Sequence, residues 1–185
     1  MQFTLYYRGE LKSKAKPDAK HTLRRYFHCQ MKQVWQQMPL KDFDWLLQPA
    51  QASQNLSILQ QTKSFTFAPL VSDKVFLVAE LDIQLLWPQD RGKIITSGGD
   101  IDNRLKTLLD ALKVPSEDTA LPQEATPGED ENPFFCLLQD DSLITRLSVE
   151  ADRLLEPVSS PSEVVLFIRV TTKQLKVTFE TVGLA

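Results

Sequence analysis

Hydrophobic residues recur along this chain in two rhythms, every second position and every third to fourth, and these divide it into strands and helices. The clearest alternation runs from Val75 to Trp87. Val75, Leu77, Ala79, Leu81, Ile83, Leu85 and Trp87 share one face, while Glu80 and Asp82 stand on the other. This predicts a half-buried strand that ends at Pro88, its two acids facing a charged partner or solvent. Residues 3–11, FTLYYRGEL, predict an earlier strand. Leu143–Arg153 predicts a later one with Leu143, Leu147, Val149 and Ala151 turned inward. Glu163–Val170 and Gln174–Val182 predict a hairpin that turns at Thr171–Lys173. Phe134–Leu138 is apolar throughout and predicts a buried strand.

The helical rhythm occurs twice. Leu23, Phe27, Met31, Val34 and Met38 form one stripe, predicting a helix from Ala19 to Met38 capped by Asp18. Arg24, Arg25, His28 and Lys32 fall mostly off that stripe. The second helix lies in Gly98–Lys113, GGDIDNRLKTLLDALK, with Ile101, Leu105, Leu108, Leu109 and Leu112 on one face and Asp102 at the N-cap. Residues 39–74 read as loop-rich, with a packed turn or short helix at Trp45–Leu47 and a short strand at Thr62–Pro69. Residues 114–133, rich in proline and acids and without period, read as a loop. The elements compose an α+β fold, a mixed β-sheet packed by two main helices. They form a single domain over residues 1–185, with 39–74 and 114–133 as loop-rich insertions.

Composition narrows the class. A chain of 185 residues buries a sizeable core. No apolar run reaches the ~20 residues that span a bilayer, and the stretch MQFTLYYRGELKSK lacks the basic start and apolar centre of a signal peptide. The expectation is a cytoplasmic protein without a membrane partner or an organic cofactor. Cys29 and Cys136 are too far apart in sequence for a metal motif, and each lies in an apolar-patterned segment, predicting reduced core thiols.

The net charge of −3 hides an asymmetry. Eight Lys and Arg residues stand between Arg8 and Lys32 against only Glu10 and Asp18; between Val114 and Pro133 there are six acids and no base. Phosphate binding depends on where positive charge lies, so Lys14, Lys16, Arg24 and Arg25, with Arg91 and Lys93 further along, are candidate DNA contacts. A solvated basic face is the alternative. Tyr6, Tyr7 and Tyr26 interleave with these residues and suit either base contact or packing. His21 and His28 lack a partner motif and read as surface or structural residues.

The candidate chemistry sits on the second helix and after the buried strand. Asp100 and Asp102 enter the helix, with Asn103 and Lys106 following on one side, and Asp140 and Asp141 end the apolar run Phe134–Leu138. Carboxylates at such a place are costly to desolvate unless they meet a cation or donors. Each pair also has an ordinary explanation, as turns and caps, and Lys106 with Asp110 has the spacing of a surface ion pair.

Taken in order, D-I-D-N-R-L-K at Asp100–Lys106, L-D-A-L at Leu109–Leu112 and D-D-S-L-I at Asp140–Ile144 resemble the RusA family of Holliday junction resolvases. The match covers Asp100 to Ile144. The resemblance implies a RusA-like fold and a homodimeric endonuclease that cuts branched DNA with Mg²⁺, or with Mn²⁺ in its place. It places the acidic metal ligands on Asp100, Asp102 and Asp141, with Asp140 as a further candidate. It places the catalytic lysine on Lys106 and a supporting role on Asn103. The alternatives are a nuclease for another DNA structure, or a non-catalytic DNA- or protein-binding module on the same fold.

Overall fold

A computed structural model describes residues 1–50, 56–88 and 100–184, Asp100 in its backbone only. Among these residues the fold is α+β, with mixed sheets packed by two main helices. The first strand, β1 (Gln2–Glu10), leads to helix α1 (Pro17–Trp35). Strands β2 (Gln60–Thr62), β3 (Phe65–Val71) and β4 (Leu77–Trp87) follow. Helix α2 (Asp100–Leu112) precedes β5 (Phe134–Leu138), β6 (Ile144–Arg153) and β7 (Glu163–Gln174).

One sheet has the order β1-β7-β4-β6, antiparallel except for the parallel pair β4–β6. A smaller sheet has the order β2-β3-β5, with β3 and β5 parallel. The alternation read from β4 holds: Leu77, Ala79, Leu81, Ile83, Leu85 and Trp87 are all buried. They meet Leu5 and Tyr7 of β1 and Val164, Leu166, Ile168 and Val170 of β7 on the same face. Helix α1 covers that face with Leu23, Phe27, Met31 and Trp35, and α2 with Leu108, Ala111 and Leu112. Strand β5 is buried on both sides. Phe135 and Leu137 enter the main core, and Phe134 and Cys136 enter a second cluster with Phe65, Phe67, Val114 and Leu121.

On the outer face, Glu80 and Asp82 do find charged partners. Arg146 of β6 chelates Asp82 with two contacts of 2.8 Å, and Glu80 pairs with Arg146 and Lys173.

Several sequence expectations are corrected. The C-terminal hairpin is absent: β7 runs straight through Thr171–Lys173, because that segment pairs with β4 on one side while Thr171 also faces Gln2 of β1. The described residues of 39–74 are more ordered than a loop-rich insertion. They hold a 3-10 helix (Leu40–Leu47), β2 and β3, and they bury Leu40, Leu46, Ile58, Phe65, Phe67, Leu70 and Val71. Helix α1 stops at Trp35, leaving Met38 exposed, and Lys16 rather than Asp18 occupies its N-cap position, with Pro17 in the first turn. Cys29 is exposed. Leu147 faces inward in register with Leu81, yet stays largely exposed because β6 is an edge strand.

His21, Arg24 and His28 belong to the buried side of α1, in addition to the stripe Leu23, Phe27 and Met31. The reason is geometric. The helix lies against both the main sheet and β5, so its covered arc is wider than one apolar stripe.

Candidate functional site

The N-terminal half of α2 carries the predicted chemistry, and its environment follows from how α2 is held. Ala111, Leu108 and Leu112 are buried, and Ile101, Leu105 and Leu109 pack against the core at half burial. This leaves a polar strip for solvent. Helix α2 begins at Asp100, so Asp102 sits inside the first turn rather than at the N-cap. There its charge is still favoured by the helix dipole. Asp102 and Lys106 are both exposed and stand one turn apart on the same side.

The remaining charged groups of α2 are used in packing. Asp110 pairs with Lys20 of α1 at 2.6 Å, and not with Lys106 as the spacing also allowed. The Arg104 guanidinium is buried, lies 4.3 Å over the Trp87 ring and donates to the Leu11 carbonyl. Thr107 accepts from the Ala15 amide at 3.4 Å. These last two contacts fasten the loop Leu11–Lys16 to α2. Lys14 and Lys16, which flank Ala15, are exposed. Asn103 is half-buried and engaged.

Asp140 and Asp141 follow β5 as expected, and the structure gives them a partner the sequence reading missed. Lys113 Nζ is 2.9 Å from Asp141 Oδ2 and 3.8 Å from Asp140 Oδ2. Asp140 Oδ1 also accepts from the Ser142 amide at 3.0 Å, capping the short 3-10 turn Asp141–Leu143. These contacts, the Ser142 bonds foremost, hold the Asp140 carboxyl below its ordinary pKa. Lys113 immediately follows α2, about 16 Å along the helix axis from Asp102 at 1.5 Å per residue. So Asp141 is brought to the lysine at the end of α2, and no contact between Asp141 and Asp102 is seen. The signal for Lys113 was its place one residue past L-D-A-L, where a cation also suits the helix C-terminus.

The basic face of α1 is the main correction. Arg24, a candidate DNA contact, is 2% exposed. Its Nη2 donates to the Asp110 carbonyl of α2 at 2.9 Å, and burial lowers its pKa to about 10. Its Nε and Nη1 are buried without a partner. Arg25 is exposed but occupied: it makes two contacts with Glu131, at 2.7 and 3.1 Å, and one with the Thr126 carbonyl. Lys32 pairs with Asp130 at 3.0 Å. The stretch from Thr126 to Glu131 of the acidic segment therefore lies against α1, where Glu131 and Asp130 neutralise Arg25 and Lys32. Arg91 and Lys93 lie outside the described residues.

Both histidines are structural. The Phe135 amide donates to His28 Nδ1 at 2.8 Å, and His28 Nε2 is 3.2 Å from the Asp130 carbonyl. Since Nδ1 accepts, the proton resides on Nε2. His21 packs between Phe65 and Phe134 with both ring nitrogens buried and unpartnered, and burial lowers its pKa to about 4. Tyr7 is core as well, its hydroxyl donating to the Glu10 carbonyl and its pKa raised by burial to about 12.

Oxygen donors such as Asp100, Asp102, Asp140 and Asp141 suit a hard divalent cation. Among the described residues no three His, Cys, Asp or Glu side chains are grouped to hold a metal, the Asp100 carboxylate lying outside them. Nor is any described helix long and apolar enough to cross a membrane. No protein-family model, curated protein or solved structure matches this chain.

Proposed function

We propose that this protein is a divalent-metal-dependent endodeoxyribonuclease acting on branched DNA, of the kind its Asp100–Ile144 motif resembles. The observation that carries the reading is the placement of Asp102 and Lys106. On a helix whose Arg104 and Asp110 are spent on packing, these two face solvent together.

Asp100 and Asp102 would hold the metal from the first turn of α2, and Asp141, with Asp140 beside it, would have to leave Lys113 to join them as a third ligand. Bound there, Mg²⁺ or Mn²⁺ supplies an activated water and neutralises charge on the phosphate. Lys106 places a fixed positive charge where the non-bridging oxygens gain charge during attack. An ammonium group is a poor metal ligand, so its position beside acids favours the phosphate. Lys14 and Lys16 would meet flanking phosphates in place of Arg24 and Arg25. A homodimer would present two such sites to one junction.

The test is a panel of four-way, three-way, flap and duplex DNA, each with Mg²⁺ and with chelator. The four-way junction is cut by the wild type with Mg²⁺ alone, and Asp102→Asn abolishes cutting while leaving the circular dichroism spectrum and melting temperature unchanged. Wild-type cutting by Asp102→Asn overturns the assignment.

A second reading is a non-catalytic DNA- or protein-binding module. The Lys113–Asp141 ion pair favours it, because a carboxylate already neutralised by a lysine needs no metal. Junction binding without cleavage under every metal condition selects this reading.

A further inference from the structure

The outer face of the four-stranded sheet carries no packed element among the described residues, and its side chains form an ordered grid. Tyr6 of β1 stands opposite Phe167 of β7, which stands opposite Gln84 of β4, which stands opposite Glu150 of β6. The neighbouring rung reads Thr4, Arg169, Asp82 and Ser148. Together with Ile83, all of these but Tyr6 line a shallow cavity of about 420 Å³.

Tyr6 and Phe167 are each 39% exposed, with ring centroids 5.4 Å apart. Gln30 of α1 receives the Tyr6 amide at 2.9 Å and donates to the Tyr6 carbonyl at 2.7 Å, on the side away from β7. Tyr6 and Phe167 are therefore a non-hydrogen-bonded pair, the arrangement that brings cross-strand side chains closest. Asp82 is neutralised by the two contacts from Arg146. Arg169, on the same rung, is exposed and pairs with no described residue.

We propose that this face binds unpaired bases of a single-stranded nucleic acid. The Tyr6 and Phe167 rings offer stacking surfaces, which every base can use. Arg169 takes a backbone phosphate, and Glu150 with Gln84 offers acceptors to an exocyclic amino group. The floor of the cavity is polar and charged, whereas the centre of a protein–protein interface is depleted of charged residues. The polar floor and the uncommitted guanidinium thus favour a nucleic acid over a second copy of the chain. The inference rests on the sheet face alone and stands apart from the acidic residues of α2.

The experiment uses the full chain in chelator, titrated into fluorescein-labelled dC and dT dodecamers and read by anisotropy. The wild type binds both, dC more tightly because only cytosine presents an amino group. Tyr6→Ala or Phe167→Ala weakens binding about tenfold. Arg169→Gln, at an exposed position, reduces the salt slope by about one. Oligonucleotide binding is read in chelator and junction cutting with Mg²⁺, so the two proposals fail separately. Three results overturn this one: no binding of either oligonucleotide, binding indifferent to all three face substitutions, or conversion of a wild-type dimer into a monomer by Tyr6→Ala or Phe167→Ala in sedimentation, which would make the face a protein interface.

Discussion

Lys113 Nζ stands 2.9 Å from Asp141 Oδ2, and this contact sets the terms on which Asp141 can serve a metal. A cation binding Asp141 must displace the lysine. Lys113→Met therefore tightens Mg²⁺ binding several-fold, measured by calorimetry, if Asp141 is a ligand. Equal affinity in the two proteins removes Asp141 from the site.

Arg24 answers to stability rather than to DNA. Arg24→Ala leaves a cavity between α1 and α2 and orphans the Asp110 carbonyl, a loss of about 3 kcal/mol in urea unfolding. Arg24→Met fills most of the same space without a buried charge and stays within ~1.5 kcal/mol of the wild type. Neither change alters the salt dependence of DNA binding. A reduced slope in Arg24→Met would show that the guanidinium reaches phosphate after all.

The acidic segment competes for the basic face of α1. Asp130→Asn with Glu131→Gln frees Lys32 and Arg25 from their partners at 3.0 and 2.7 Å. The exposed Lys32–Asp130 pair contributes ~0–1 kcal/mol to folding, while Glu131 is only 12% exposed and also accepts from the Gly128 amide, so the melting temperature falls moderately. Affinity for duplex DNA rises and its salt slope steepens, measured by anisotropy between 50 and 200 mM salt, the range over which phosphate contacts are strongly screened. An unchanged slope would mean that these cations point away from any DNA path.

His21 makes the fold acid-sensitive. Its folded pKa of about 4 lies below the unfolded value of 6.5, so the unfolded chain binds more protons between them. Stability is therefore full above pH 6.5 and is lost as pH falls toward 4. The His28 pKa is also lowered, by burial first, and it adds in the same direction. Replacing His21 with Phe keeps the ring contacts with Phe65 and Phe134 and removes the titration. Urea melts at pH 7 and pH 5 then show a smaller loss than in the wild type. An identical loss would assign the acid sensitivity elsewhere.

The outcome for particular residues separates local pattern from tertiary context. Leu81, Ile83 and Leu85 were legible because a strand's two faces alternate whatever it packs against. Lys113 was not, because its partners lie 27 and 28 residues ahead and meet it only when β5 docks beside the end of α2. Arg24 and His28 looked solvent-facing because a helical stripe is judged for one contact surface, and α1 has two.

The sequence by itself determined the buried face of β4, the apolar face of α2, the fully buried β5 and the spacing of Asp102 to Lys106, since each follows from local periodicity. Only the tertiary structure decided that β7 is one strand between two neighbours, that the acidic segment lies on the basic helix, and that Asp141 meets Lys113. Those relations join residues distant along the chain, and their energies of burial and charge pairing exist only once the sheets and helices are assembled.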